Sequence, residues 1–97
     1  MLVALERFDL RVPGCGSLKE KRHVVKTLTS GIRSRFNVSV AEVDHHDLWQ
    51  RTALAVAVAA GERYQARKIL HEVEKFVERW AEVEVIETEI SLHYPDD

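Results

Sequence analysis

The spacing of apolar residues divides the chain into six segments. Residues 2 to 12 are rich in strand formers, and "VPGCGS" then breaks the run. Ser17 with Glu20 three positions later supplies a capping box that opens a helix. Within that helix Val25, Leu28, Ile32 and Phe36 recur at three- and four-residue spacing, giving one buried stripe that runs out near Asn37. "VSVAEV" is a short β-rich run, "DHHD" turns, and "TALAVAVAA" is a continuous apolar run of strand length, so the pair predicts a hairpin. Gly61 closes it. Ala66, Ile69, Leu70, Val73, Phe76, Val77 and Trp80 then mark the apolar face of a second helix, whose other face mixes charges such as Lys68 and Glu72, and "VEVIETEISLHY" is the last strand.

A β-α-β-β-α-β order is the split βαβ arrangement, an α+β fold with a four-stranded antiparallel sheet and both helices on one face. The spatial strand order is expected to be 4-1-3-2, which places "TALAVAVAA" centrally, as its apolar character demands. Strand directions then bring the "PGCGS" loop and the "DHHDLWQ" turn to the same end of the molecule. Residues at the start of the first helix become neighbours of His45, His46, Trp49 and Arg51, far away in sequence.

Length limits how much can be built. Ninety-seven residues, 45% of them hydrophobic, with two prolines and four glycines, make a single domain over residues 1–97 without a low-complexity stretch. The start "MLVALERFDL" lacks a basic n-region, and no apolar run approaches the ~20 residues of a membrane span. A cytoplasmic protein without a membrane partner is therefore expected. Cys15 stands alone, so an intrachain disulfide is impossible.

"SLKEKR", "RFNVSVAEV" and "DLWQR" together resemble the YlxP-like family of small bacterial proteins, and the resemblance covers nearly the whole chain. It implies the same ferredoxin-like fold. It also implies a ribosomal or RNA partner, because members of that family are often encoded near translation-initiation and ribosome-maturation factors. It brings no catalytic residues, and its pattern requires neither Cys15 nor the paired histidines.

The net charge is −2, but its distribution is uneven. Residues 17 to 35 carry Lys19, Lys21, Arg22, Lys26, Arg33 and Arg35 against Glu20 alone; residues 82 to 97 carry Glu82, Glu84, Glu87, Glu89, Asp96 and Asp97 and no lysine or arginine. At 100° per residue Lys19, Arg22, Lys26 and Arg33 share a narrow arc beside the apolar stripe, a basic ridge suited to RNA phosphate. Ser17, Lys19, Lys21, Arg22, Lys26, Arg33, Gln50 and Arg51 are accordingly the candidate contacts to RNA, a ribosomal subunit or another anionic partner. Trp49 is expected to pack into the core.

Other chemistry finds less support in the residues. "DHHD" offers adjacent side chains without the second cluster that a zinc site needs, and the phosphoesterases named for an Asp-His-His motif are much longer. It reads as a polar turn in which Asp44 and Asp47 balance Lys21 or Arg22, with no metal and no cofactor. Cys15 precedes a helix amino end among basic neighbours, a setting that can lower a thiol pKa, but no histidine is placed as its base. "PGCGSLKEKR" lacks the ending of a Walker motif, although its glycines could expose backbone N–H groups to phosphate. The chain is therefore expected to be a binding protein and not an enzyme.

The sheet face away from the helices completes the picture. Ala53, Ala55, Ala57 and Ala59 should line it, flanked by Val3 and Leu5, with no aromatic residue for base stacking. Such a smooth face suits a homodimer. The alternative to an RNA partner is a homodimeric module whose basic face meets an acidic protein.

Overall fold

The computed structural model describes residues 1–95; Asp96 and Asp97, counted above in the acidic segment, lie outside them. Six elements follow the expected order: β1 (Leu2–Arg11), α1 (Leu18–Arg35), β2 (Ser39–Asp44), β3 (Arg51–Ala60), α2 (Arg63–Glu78) and β4 (Glu84–His93). The sheet order is β2-β3-β1-β4, with every neighbouring pair antiparallel. This is the ferredoxin-like arrangement expected from the sequence. α1 packs over β2, α2 lies over β3 and β1, and α2 touches β4 only lightly.

The period-two pattern of β1 explains why the sheet has a dry face. Leu2, Ala4, Phe8 and Leu10 are buried under the helices, opposite Leu54, Val56 and Val58 of β3 and the apolar side of α2. Each such Leu or Phe contributes roughly 1.5–3 kcal/mol by leaving water. α1 begins where Ser17 caps it: its hydroxyl accepts from the Glu20 amide at 3.1 Å, while Glu20 Oε2 reaches back to accept from the Gly16 amide at 2.7 Å. The two helices approach closely at Gly31, where an added Cβ would come within 3.1 Å of Phe76 Cζ. Phe36 meets Phe76 edge to face, and Trp80 tilts against the same ring.

One position on the inner face of β1 breaks the apolar pattern. Glu6 is fully buried between the sheet and α2, and neither carboxyl oxygen makes a hydrogen bond. Burial first, and then the adjacent Glu74, pushes its pKa up from 4.5 to about 9; Thr88 opposes this and Glu78 adds a smaller push upward. Glu6 is therefore a neutral acid at physiological pH. The unfolded chain ionises near 4.5 while the folded chain holds the proton to about 9, so the residue erodes stability as pH rises through that window. Glu6→Gln, which is isosteric and never ionises, is expected to raise Tm by several degrees at about pH 8 and to leave it nearly unchanged at about pH 4. Melting curves taken across that range check this; a constant difference would assign the effect to packing.

Candidate functional site

The cap at Ser17 fixes the phase of α1, and that phase turns Lys21 inward. Lys21 shares the buried side of the helix with Val24, Leu28 and Ile32. Its Nζ donates to the carbonyls of His45 at 2.7 Å, His46 at 3.1 Å and Arg51 at 3.3 Å, and lies 3.3 Å from Glu42 Oε2. Thr52 Oγ1 donates to the same carboxylate oxygen at 2.6 Å. One buried ammonium thus ties the first turn of α1 to the whole β2–β3 turn. The expectation that Lys21 meets an external anion is corrected: it has no exposed surface, and its donors are spent on the chain's own carbonyls.

The "DHHD" segment forms the turn. His45 adopts a left-handed backbone with φ 61, its amide donates to Asp44 Oδ1 at 2.8 Å, and the Leu48 amide donates back to the His45 carbonyl. Among the described residues no group of three or more His, Cys, Asp or Glu is placed to hold a metal ion. Asp44 pairs with Arg7 at 3.2 Å, and not with Lys21 or Arg22 as expected. Its carboxyl is held below the usual range by the His45 amide first and then by charge. On the open side of the sheet, Asp9 receives Arg51 at 2.8 Å, with Arg7 and His45 Nε2 each 3.7 Å away, and the Arg51 hydrogen bond holds its pKa down.

These contacts sort the remaining candidates. Arg51 is half-exposed and committed to Asp9, so it braces the turn. Gln50 is exposed, and its amide donates to the Cys15 carbonyl at 3.3 Å. Together with the Val12 amide bonded to the Gln50 carbonyl at 2.9 Å, this joins the "PGCGS" loop to the hairpin turn, the juxtaposition that strand directions required. Trp49 does not enter the core; it is 53% exposed, with Val43 and Leu48 also exposed nearby in the chain. Arg33 donates to the Val40 carbonyl of the edge strand β2 at 3.0 Å, and Arg35 lies over the Phe76 ring. Ser17 is occupied as the cap.

Lys19, Arg22 and Lys26 differ from all of these. Each is exposed and, among the described residues, makes no ion pair or side-chain hydrogen bond. Glu20 is the single acid of α1, and its carboxylate is held by the Gly16 amide. The ridge therefore keeps its charge and narrows to these three residues, flanked by His23 and by the anchored Arg33.

Cys15 is buried, and burial pushes its thiol pKa up, reinforced by Glu20 and Glu82. The activation that its loop position permits is thus reversed. The thiol borders a cleft of about 930 Å3 at the α1 amino end, shared with Val12, Ser17, Lys19, His23 and Glu82, and reached by neither His45 nor His46.

The sequence pattern missed Glu42 and Asp9 as partners of Lys21 and Arg51. Glu42 was open to detection, since it stands on β2 beside the turn. Replacing Lys21 by methionine is expected to cost about 3 kcal/mol, because a buried ion pair loses one member and three carbonyls lose their donor. Urea denaturation measures the loss. The double variant with Glu42→Gln should recover part of it, and amide exchange in residues 45–51 should quicken in the single variant.

A family model described as "Protein of unknown function (DUF503)" matches residues 3–90. The chain is 41% identical over 69 residues to "Uncharacterized protein YlxP" of Bacillus subtilis (strain 168), covering 71% of this chain and 75% of that protein. Among solved structures, the de novo designed protein Foldit4 aligns with a TM-score of 0.54 at 9% identity, over 97% of this chain and 98% of that one. A second designed protein, LFR1 1 with ferredoxin fold, gives a TM-score of 0.49 at 14% identity, over 100% of this chain and 87% of its own. Likeness to designed chains concerns the fold alone. The match to the family model over almost the full length, joined by the YlxP identity, places this chain in the DUF503 family.

Proposed function

We propose that the protein is a non-enzymatic, cytoplasmic binding protein that docks the α1 ridge against the phosphate backbone of structured RNA, as in a ribosomal assembly. The observation that carries this reading is the row Lys19, Arg22 and Lys26, exposed and free of ion pairs among the described residues, on a helix whose single acid is tied to its own cap. Three cations one helical turn apart follow a charged strand as a helix lies along it, and the adjacent turn, braced by Lys21 and Asp9, gives the ridge a rigid base. Base recognition on the sheet is not part of this reading, since the open face of β3 carries four alanines and Arg51 but no aromatic residue.

A second reading rests on the same open face. Val3 and Leu5 lie opposite Ala59 and Ala57 and are half-buried, and Ala55 is half-buried while Ala59 is exposed. This apolar end suits a face-to-face homodimer, in which the basic ridges would meet an acidic protein. Ala53 is no longer a candidate contact: it is fully buried, with Asp9 and Asp44 as its cross-strand neighbours carrying the ion-pair network.

Fluorescence anisotropy with a structured ribosomal RNA fragment tests the primary reading. Three phosphate contacts should weaken binding roughly 20- to 40-fold between about 50 and 200 mM salt. Arg22→Glu with Lys26→Glu should abolish binding while leaving Tm within a few degrees of the parent. Salt-independent affinity, or binding unaffected by the double charge reversal, overturns the RNA reading. Light scattering at low concentration tests the dimer, which Leu5→Lys should dissociate.

A further inference from the structure

The acidic flank plays no part in RNA docking, and its geometry differs from that of the opposite sheet edge. β2 is six residues long and bulged, and its backbone carbonyl at Val40 is occupied by the Arg33 guanidinium of α1. Such features close an edge to further pairing. β4 is ten residues long and pairs with β1 on one side only. Among the described residues no side chain donates to or accepts from its outer backbone. Its one irregularity lies near the start, at Ile86.

The two faces of β4 are chemically distinct. Glu87 and Glu89 stand opposite Asp9 and Arg7 on the open face of the sheet, and Arg7 is committed to Asp9 and Asp44. Neither Glu87 nor Glu89 has a cationic partner among the described residues. On the helix side stand Thr88, Ile90 and Leu92, where α2 stops short of the edge: Ile90 is 39% exposed and Ile86 41%. Like charges directly opposite one another destabilise a strand pair, so the acids discourage β4 from pairing with a second copy of itself. The same acids favour a strand of opposite charge.

We infer that the outer edge of β4 accepts a basic, extended segment of a protein partner as a fifth antiparallel or parallel strand. Alternating residues of that segment present lysine or arginine to Glu87 and Glu89 and apolar side chains to Ile90, while its backbone takes up the free edge groups. The partner is a protein with an exposed, positively charged, strand-forming segment. This surface lies across the sheet from the α1 ridge, so its test requires no RNA and can fail independently of the RNA reading.

The probe is an eight-residue peptide, capped at both ends, that alternates lysine with valine. Titrated into isotope-labelled full-length protein at about 50 mM salt, it is expected to shift the β4 amide resonances and slow their hydrogen exchange, leaving β2 and α1 unchanged. An otherwise identical peptide methylated on alternate backbone nitrogens should bind at least tenfold more weakly. Glu87→Lys with Glu89→Lys should lose the lysine peptide and gain its glutamate counterpart. The inference is overturned if the methylated peptide binds equally well, since attraction would then be electrostatic without pairing. Shifts centred on another element, absence of binding at millimolar peptide, or a peptide-free dimer with protected β4 amides would each overturn it as well.

Discussion

A lysine ammonium withdrawn from water must satisfy its donors inside the protein, and this requirement organises one end of the molecule. Lys21 meets it with the carbonyls of His45, His46 and Arg51 and the Glu42 carboxylate, groups from two strands and the turn between them. Moving α1 along its axis by one residue would rotate Lys21 away by about 100° and leave those carbonyls unpaired. The ion pair therefore sets the register between α1 and the hairpin, and with it the direction in which Lys19, Arg22 and Lys26 project. Ser17 and Glu20 define the same phase from the outer side. Two independent contacts, one buried and one exposed, thus agree on a single orientation of the ridge.

Helix and strand periods carried most of the fold. Alternation in β1 and the alanine row of β3 place Val3 and Leu5 beside Ala59 and Ala57, as the pattern implied, and the common end of the two loops followed from chain direction alone. The site was less legible. Lys21 lies within about 20° of Leu28 and Ile32 on a helical wheel, so its inward direction was present in the sequence. A lysine inside an apolar stripe signals a buried partner, and its charge alone concealed that. Trp49 failed for another reason: large aromatic residues usually bury, but its place in a turn pinned by backbone bonds on both sides leaves no approach to a core already filled by Phe8, Leu10 and Leu54. The Asp9–Arg51 pair required the β1–β3 register, in which Arg51 lies opposite Arg11 and one diagonal step from Asp9.

Two opposite charge patches in so small a domain would be expected to neutralise each other, and the sheet prevents it. α1 rests on the β2 side, whereas β4 occupies the far edge. Strands about 4.8 Å apart put β2 and β4 some 14 Å from each other, and an outward-pointing ridge adds to this distance. That separation exceeds the ~8 Å Debye length at physiological ionic strength. The ridge and the β4 acids Glu87 and Glu89 are therefore largely screened from each other, while Glu82, ahead of β4, lines the same cleft as Lys19. The buried Glu6 belongs to the acidic side of this division. Glu74 and Glu78 lie over it, and neutralising Glu6 by proton retention keeps that flank from accumulating a further charge in a site where water could not screen it. Under the two proposals above, the RNA and the basic protein segment occupy opposite flanks, so neither would have to displace the other.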